Sequence, residues 1–373
     1  MKKIMFIFGT RPEAIKMAPV ILECKNFGFE PVICLSGQHK DMVVPFMDFF
    51  KLKADHDLNV MKPNQSLAEL TANILSNAHK VLEAVKPDVV MVQGDTTTTF
   101  AGALAAFYQK IPVAHIEAGL RTFDKHSPFP EEINRQMVST FAELHFPPTE
   151  ETKKNLEKEG RTSGVVGTEL IVTGNTSIDA LRMAKDLIDD EAMMKKYSAI
   201  DFSKKIVLVT THRRENHGEP LKDICRTLKK LHHEHGAEIV LPVHLNPNVK
   251  SVVENELGGV KGIHLLNPLE YPDFVFFMKK SYLIMTDSGG VQEEGPYFGK
   301  PILVMRDNTE RPEGVTAGTS LLLGTKFETL YQKASELFTD VNQYQAFQKV
   351  VNPYGDGFAS HKILAAVKRF LEP

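Results

Sequence analysis

An α/β fold with two doubly wound, Rossmann-like domains is what the sequence predicts, on three observations. Short Val/Ile-rich runs alternate with helical patterns along the whole chain, the signature of parallel strands buried on both faces. The runs fall into two sets with a break near Val172 to Thr176. The chain has 373 residues, too many for one comfortable core and enough for two domains of ordinary size.

Taken in order, the first set is "IMFIFG", "PVICLSG", "DVVMVQGD", "PVAHIE" and "ELHFPPT". Each is a short apolar stretch, interrupted by a histidine in the last two, that ends in Gly, Pro or a polar residue, and each is followed by a helical pattern. After "VTGNTSIDAL" comes the second set: "KIVLVTTH", "EIVLPVH", "IHLLNP", "YLIMTDSGG" and "PILVMRDN". The closing stretch "SHKILAAVKRFLEP" has the period of an amphipathic helix and no strand after it. The halves share a layout without sharing a sequence.

Composition excludes several classes. With 42% hydrophobic and 24% charged residues and a net charge of −3, the chain reads as globular and carries no global bias toward a polyanion, so no nucleic-acid partner is expected. The apolar stretch in "MKKIMFIFGTRPE" is too short for a signal-peptide core, and no run approaches the roughly 18 residues of a membrane span. Cys24, Cys34 and Cys225 form no CxxC pair and suit a reducing cytoplasm.

In open α/β sheets ligands bind beyond the carboxyl ends of the strands, so the residues after each run matter most. After the first comes "GTRPEAIKMAPV", with Arg11 in the turn and Lys16 further along the helix. It is neither GxGxxG nor a Walker A loop, and taken alone its two cations read as solvated helix-end charges. Later strand ends bring Asp95 in "QGDTTTT", Glu117 in "HIEAGLRT", His212 in "THRREN" and His244 in "PVHLNP". In "TDSGGVQEEG", Ser288, Gly289 and Gly290 end a strand and open a helix, where free N–H groups and bare glycine backbone suit a phosphate, although Ser-Gly-Gly is also an ordinary turn. Glu294 in the same helix is placed to accept from a ribose. "RDNTERPEG" adds Arg306 and Arg311 to this rim.

In "SPFPEEINRQ", Pro130 starts a helix on which Glu131 and Arg135 lie one turn apart, on one face. Exposed pairs at that spacing are common and contribute only a few tenths of a kcal/mol. A site is favoured because so many strand ends carry charge. "HHEHG" (232–236) lacks a spaced carboxylate or cysteine partner, so no metal site is expected. Thr96 to Thr99 read as a helix cap, and no G-x-S-x-G elbow occurs.

Nine segments, "GTRPEAIKMAPV", "QGDTTTT", "HIEAGLRT", "SPFPEEINRQ", "THRREN", "PVHLNPNV", "TDSGGVQEE", "VMRDNTERPEG" and "NPYGDG", together resemble the non-hydrolysing bacterial UDP-N-acetylglucosamine 2-epimerases. The resemblance spans Gly9 to Gly357. It implies the GT-B architecture: an N-terminal domain over 1–172, a UDP-binding domain over 173–357, the helix 358–373 packing back on the first, and the active site in the cleft between them. It also implies a homodimer in the cytoplasm, acting on UDP-N-acetylglucosamine without a cofactor and supplying cell-surface polysaccharide synthesis.

By position, Asp95, Glu117, Glu131, Arg135 and His212 match the family's chemical group. Phe274, Ser288, Gly289, Gly290, Glu294 and Arg311 match its UDP-binding residues, with Arg11 and Lys16 as basic residues on the opposite wall. Gln38, His39, Glu131, Arg213 and His244 match a second UDP-N-acetylglucosamine site that activates several bacterial members. Two positions depart from the family: Leu269 replaces a frequent glutamine, and Asn64 in "MKPNQSL" stands where the activated members place an arginine.

The chemistry of such a site follows from the substrate. The hydrogen on C2 is hardly acidic, so inversion there requires oxidation at C3 or loss of the group on C1. No nicotinamide fingerprint is present, which leaves elimination of UDP to 2-acetamidoglucal and re-addition. Crowded carboxylates raise one another's pKa, which suits one of them to act as an acid. A hydrolysing epimerase, an epimerase of a more substituted UDP-sugar, a GT-B glycosyltransferase and a silent nucleotide-sugar sensor are the alternatives.

Overall fold

The computed structural model describes residues 1–38, 40–62, 64–162 and 168–372. They divide into two compact units, Met1–Ala180 with Gly355–Pro373, and Leu181–Tyr354.

In the first unit the apolar runs form β1 (Lys2–Phe8), β2 (Phe29–Leu35), β4 (Val89–Gln93), β5 (Val113–Ile116) and β6 (Leu144–Phe146), with β3 (His56–Asp57) and β7 (Glu169–Leu170) at the edges. The sheet order is β3-β2-β1-β4-β5-β6-β7 and every pair is parallel. Residues Ile4 to Phe8 are all buried, as a central strand covered on both faces must be. The helix Thr97–Tyr108 lies close on β1 because it presents small residues: a Cβ on Gly102 would stand 3.0 Å from Ile7 Cγ2.

The second unit holds β8 (Ile206–Thr210), β9 (Glu238–Pro242), β10 (Ile263–Leu266), β11 (Leu283–Thr286), β12 (Ile302–Val304) and β13 (Ser320–Leu322), in the order β10-β9-β8-β11-β12-β13, again all parallel. Both orders reverse direction at one place, between β1 and β4 in the first unit and between β8 and β11 in the second. These are the topological switch points, where a doubly wound sheet opens a crevice at its carboxyl edge.

The closing helix Ala359–Leu371 belongs to the first unit. Its N-terminus is fixed by the buried Asp179, which accepts from the amides of Ala359 (3.1 Å) and Ser360 (2.7 Å) and from the Ser360 hydroxyl (2.6 Å). A carboxylate is favoured there by the orphan N–H groups and the dipole. Ile363, Leu364 and Val367 bury the apolar face.

Candidate active site

At the first switch point the chain leaves β1 through Gly9. A Cβ here would lie 1.9 Å from Ser36 Oγ and 2.9 Å from Thr98 Oγ1, so any larger residue would push these hydroxyls out of place. Thr10 then caps the helix Arg11–Glu23 in a capping box with Glu13. Glu13 Oε2 accepts from the amides of Gly9 (3.0 Å) and Thr10 (2.8 Å), while Oε1 accepts from the hydroxyls of Thr96 (2.7 Å) and Thr99 (3.0 Å). This one buried carboxylate fastens the end of β1 to the loop after β4. Thr96 caps the helix Thr97–Tyr108, and the Thr98 hydroxyl donates to Gln38 Oε1 at 3.0 Å.

The helix Arg11–Glu23 carries Lys16 inward to Glu117, with which it forms an ion pair. Glu117 follows β5 directly, only 6% exposed, with a left-handed φ of 62°. That conformation is unfavourable for a glutamate and typical of sites where geometry is imposed by function. Besides Lys16, its carboxylate accepts from Gln93 Nε2 and, at 3.4 Å, from Asn175 Nδ2.

Asp95, in the turn after β4, has a different environment. Its pKa is pushed up to about 6, first by burial and next by the charges of Glu117 and Glu131, with Arg135 and Lys16 pulling the other way. Burial outranks the crowding of carboxylates expected from the sequence. The turn is held by Asn134 Nδ2, which donates to the Asp95 carbonyl at 2.9 Å, and by His115, whose Nε2 donates to the Gly94 carbonyl at 2.8 Å. Burial lowers the His115 pKa to about 4, so the ring is a neutral strut.

Arg135 corrects the sequence reading. Its partners are Asp95 Oδ2 (2.8 Å) and Glu132 Oε2 (2.6 Å), one residue along from the Glu131 that helical spacing singled out. Glu132 is fully buried and also accepts from the amides of Thr122 (3.0 Å) and Phe123 (3.2 Å) and from Gln136 Nε2 (2.7 Å). Burial works to raise its pKa, but Arg135 and the amides outweigh it and hold it below the usual range. Glu131 opens the helix Glu131–Phe141 and remains partly exposed, bearing on Asp95 through its charge.

At the second switch point, Thr210 of β8 and Thr286 of β11 are in register with their hydroxyls 2.6 Å apart. His212 and Asp287 therefore leave the sheet side by side, with Nδ1 and Oδ1 2.9 Å apart. Ser288 stands at the N-cap position of the short helix Gly289–Glu294 without a capping side-chain hydrogen bond, and Arg311 stands beside it: a Cβ on Gly289 would meet Arg311 Cζ at 3.7 Å. Arg311 is ion-paired with Glu293, and its neighbour Arg306 is not a free cation of the rim. Arg306 is buried and clamped between Glu215 (2.6 Å) and Glu310 (2.8 Å), which ties the "THRREN" loop to the one after β12. The Arg306 guanidinium lowers the Glu310 pKa to about 2.

Of the residues expected from the sequence, the first unit thus brings together Lys16, Asp95, Glu117, Glu131 and Arg135 at one strand edge, with Arg11 opening the adjoining helix. The second brings together His212, Arg213, Ser288, Gly289, Gly290 and Arg311, with Glu294 ending the helix Gly289–Glu294. Phe274 lies in the helix Tyr271–Lys280 after Leu269, and His244 follows β9, its Nδ1 accepting from the Asn246 amide at 3.2 Å. His39 lies outside the described residues. Gln93, Asn175, Glu132 and Asp287 were not singled out, although each sits inside or beside a quoted segment. Among the described residues no group of three or more His, Cys, Asp or Glu is placed to hold a metal ion.

Comparison with known proteins gives the same picture. A family model described as UDP-N-acetylglucosamine 2-epimerase matches residues 22–368. The UDP-N-acetylglucosamine 2-epimerase of Neisseria meningitidis serogroup A is 48% identical over 368 residues, covering 97% of this chain and 98% of that protein. The Escherichia coli K12 enzyme of the same name is 48% identical, covering 98% of each. A crystal structure of the Neisseria meningitidis UDP-GlcNAc 2-epimerase bound to UDP-GlcNAc superposes with a TM-score of 0.86 at 47% identity, covering 98% of this chain and 100% of that one. With matches of this extent, the chain belongs to the UDP-N-acetylglucosamine 2-epimerase family.

Proposed function

We propose that the enzyme interconverts UDP-N-acetylglucosamine and UDP-N-acetylmannosamine without hydrolysis, by eliminating UDP to 2-acetamidoglucal and adding it back with the C2 proton on the other face. The observation that carries this reading is the pair of carboxylates at the first switch point in unequal environments. Glu117 is held by three hydrogen-bond donors, whereas Asp95 is buried with its pKa pushed up to about 6. Two carboxylates in such different surroundings supply a base and an acid in one site. Inversion needs both, because one fixed side chain cannot reach both faces of the sugar ring.

In the elimination, an ionised carboxylate takes the C2 proton and the C1–O bond breaks, its electron pair leaving with UDP. On return, a protonated carboxyl delivers a proton to the opposite face while the phosphate oxygen attacks C1. Glu117 is assigned as the base and Asp95 as the acid, with Glu131 supporting proton exchange. Arg11, Lys16, Arg135 and His212 are assigned to the diphosphate, together with the 288–290 amides and Arg311. Phe274 and Glu294 are assigned to the nucleoside.

An NMR time course on UDP-N-acetylglucosamine in D2O, with EDTA and no added nicotinamide, tests the proposal. UDP-N-acetylmannosamine carrying deuterium at C2 is the expected product. Free N-acetylmannosamine would mean a hydrolysing enzyme, and loss of activity restored by a divalent ion would overturn the cofactor-free mechanism.

The Asp95 assignment fixes a pH dependence. A group raised to about 6 keeps its proton below that pH and loses it above. Because the protonated form is the competent one, forward kcat/KM should fall as pH rises through about 6, and this limb should be absent in Asp95→Asn. A limb of the opposite slope would reverse the two roles.

Gln38, Glu131, Arg213 and His244, with His39, support a second nucleotide-sugar site, but Asn64 removes a cation from it. Activation weaker than in the activated relatives is expected. UDP-N-acetylmannosamine alone should turn over without a lag, and dependence on trace UDP-N-acetylglucosamine would refute this. We further infer a cytoplasmic homodimer. Three buried free thiols are in keeping with a reducing compartment, and no described helix is long and apolar enough to cross a membrane.

A further inference from the structure

Asp287 is the first residue after β11, fully buried, and its carboxylate collects its donors from one short loop. The amides of His212 and Arg213 donate at 2.9 Å each, Asn216 Nδ2 at 3.0 Å and the Thr211 hydroxyl at 3.2 Å, with His212 Nδ1 at 2.9 Å. Burial works to raise the pKa of Asp287, but the His212 ring and these amides outweigh it and hold it below the usual carboxylate range. An ionised carboxylate only accepts hydrogen bonds, so Nδ1 must carry its hydrogen. The partner of one ring nitrogen decides the role of the other. With 44% of the His212 side chain exposed, Nε2 is the nitrogen left for a ligand.

We propose that Asp287 is the positioning residue for His212, fixing the ring in its Nδ1–H form so that Nε2 is the atom presented to the departing UDP. This rests on the elimination reading above. As the C2 proton passes to a carboxylate and the C1–O bond breaks, the electron pair settles on the β-phosphate oxygen. When Nε2 takes up a second proton from solvent, it donates a hydrogen bond to that oxygen without transferring the proton, while Nδ1–H stays on Asp287, which supplies the balancing negative charge with its own protonation state unchanged. Re-addition runs the same step backwards. Asn216, which also donates to the Met305 carbonyl at 3.1 Å, and the Arg306 clamp on Glu215 hold the loop in register with Asp287.

The ring itself is the first test. Enzyme labelled with 15N-histidine, at roughly pH 9 where an ordinary imidazole is neutral, should show, besides the Nδ1–H ring of His232 on the Ala237 carbonyl, a second ring with the hydrogen on Nδ1 that disappears in H212N. A neutral His212 ring whose single hydrogen sits on Nε2 overturns the proposal whether or not the enzyme epimerises. In steady state, D287N should lower kcat by roughly 10²-fold or more with a much smaller change in KM, and D287N/H212N should be no slower than H212N alone. Additive losses, or a D287N defect confined to KM, also overturn it. Wild-type turnover of UDP-N-acetylglucosamine is measured alongside, so failure of the epimerase reading registers separately from failure of the dyad. If D287N does not fold, the wild-type ring decides alone.

Discussion

Glu117→Gln is expected to lower turnover by roughly 10²-fold or more while UDP affinity changes far less. The carboxylate accepts from Lys16, Gln93 and Asn175, so every partner is a donor. An amide of the same shape keeps one acceptor oxygen and turns the other into an NH2 group facing donors. Proton transfer is lost and the cradle is disturbed, but the nucleotide-binding residues of the second unit are untouched. The measurement is kcat and KM for epimerisation, with calorimetric binding of UDP as the control. If elimination still outpaces re-protonation in the variant, free UDP and 2-acetamidoglucal should accumulate. A variant retaining nearly full rate and full UDP affinity would remove Glu117 from the chemistry.

Much of this arrangement is legible in the sequence, for a definite physical reason. Strands covered on both faces must be apolar throughout, so β1, β4, β8 and β11 stand out as runs, and the polar residues that follow each run must lie at one sheet edge. Three of the four edge strands do not stand out, because β3, β7 and β13 are two or three residues long and bury too little to form a run, whereas the fourth, β10, is the run "IHLLNP". Pairings between segments distant in sequence are likewise hidden. Arg306 reads as a rim cation until Glu215, 91 positions away, is seen closing over it. The rise in the Asp95 pKa is expected from neighbouring carboxylates, yet its largest cause is burial, which no local pattern reports.

The adjacent glutamates 131 and 132 mark this limit most sharply, and they separate in the second large effect expected. Helical spacing couples Arg135 equally well to a residue three or four positions earlier. The choice is made by how the chain enters the helix after Pro130, which turns Glu132 to the interior and leaves Glu131 partly exposed. Glu132 then anchors Arg135, the amides of Thr122 and Phe123, and Gln136 at once. Glu132→Ala strands a buried guanidinium and two amides together. Removing one partner of a buried pair costs about 3 kcal/mol or more, offset in part here because Asp95 still faces Arg135. The variant should unfold at distinctly lower urea concentration with an unchanged m-value. It should also lose activity, since Arg135 would no longer be held against Asp95. Glu131→Gln removes a charge from a partly exposed side chain, so its urea midpoint should stay close to wild type while its turnover falls. Equal urea midpoints for Glu132→Ala and Glu131→Gln would show that the Arg135–Glu132 pair does not hold this edge of the sheet together.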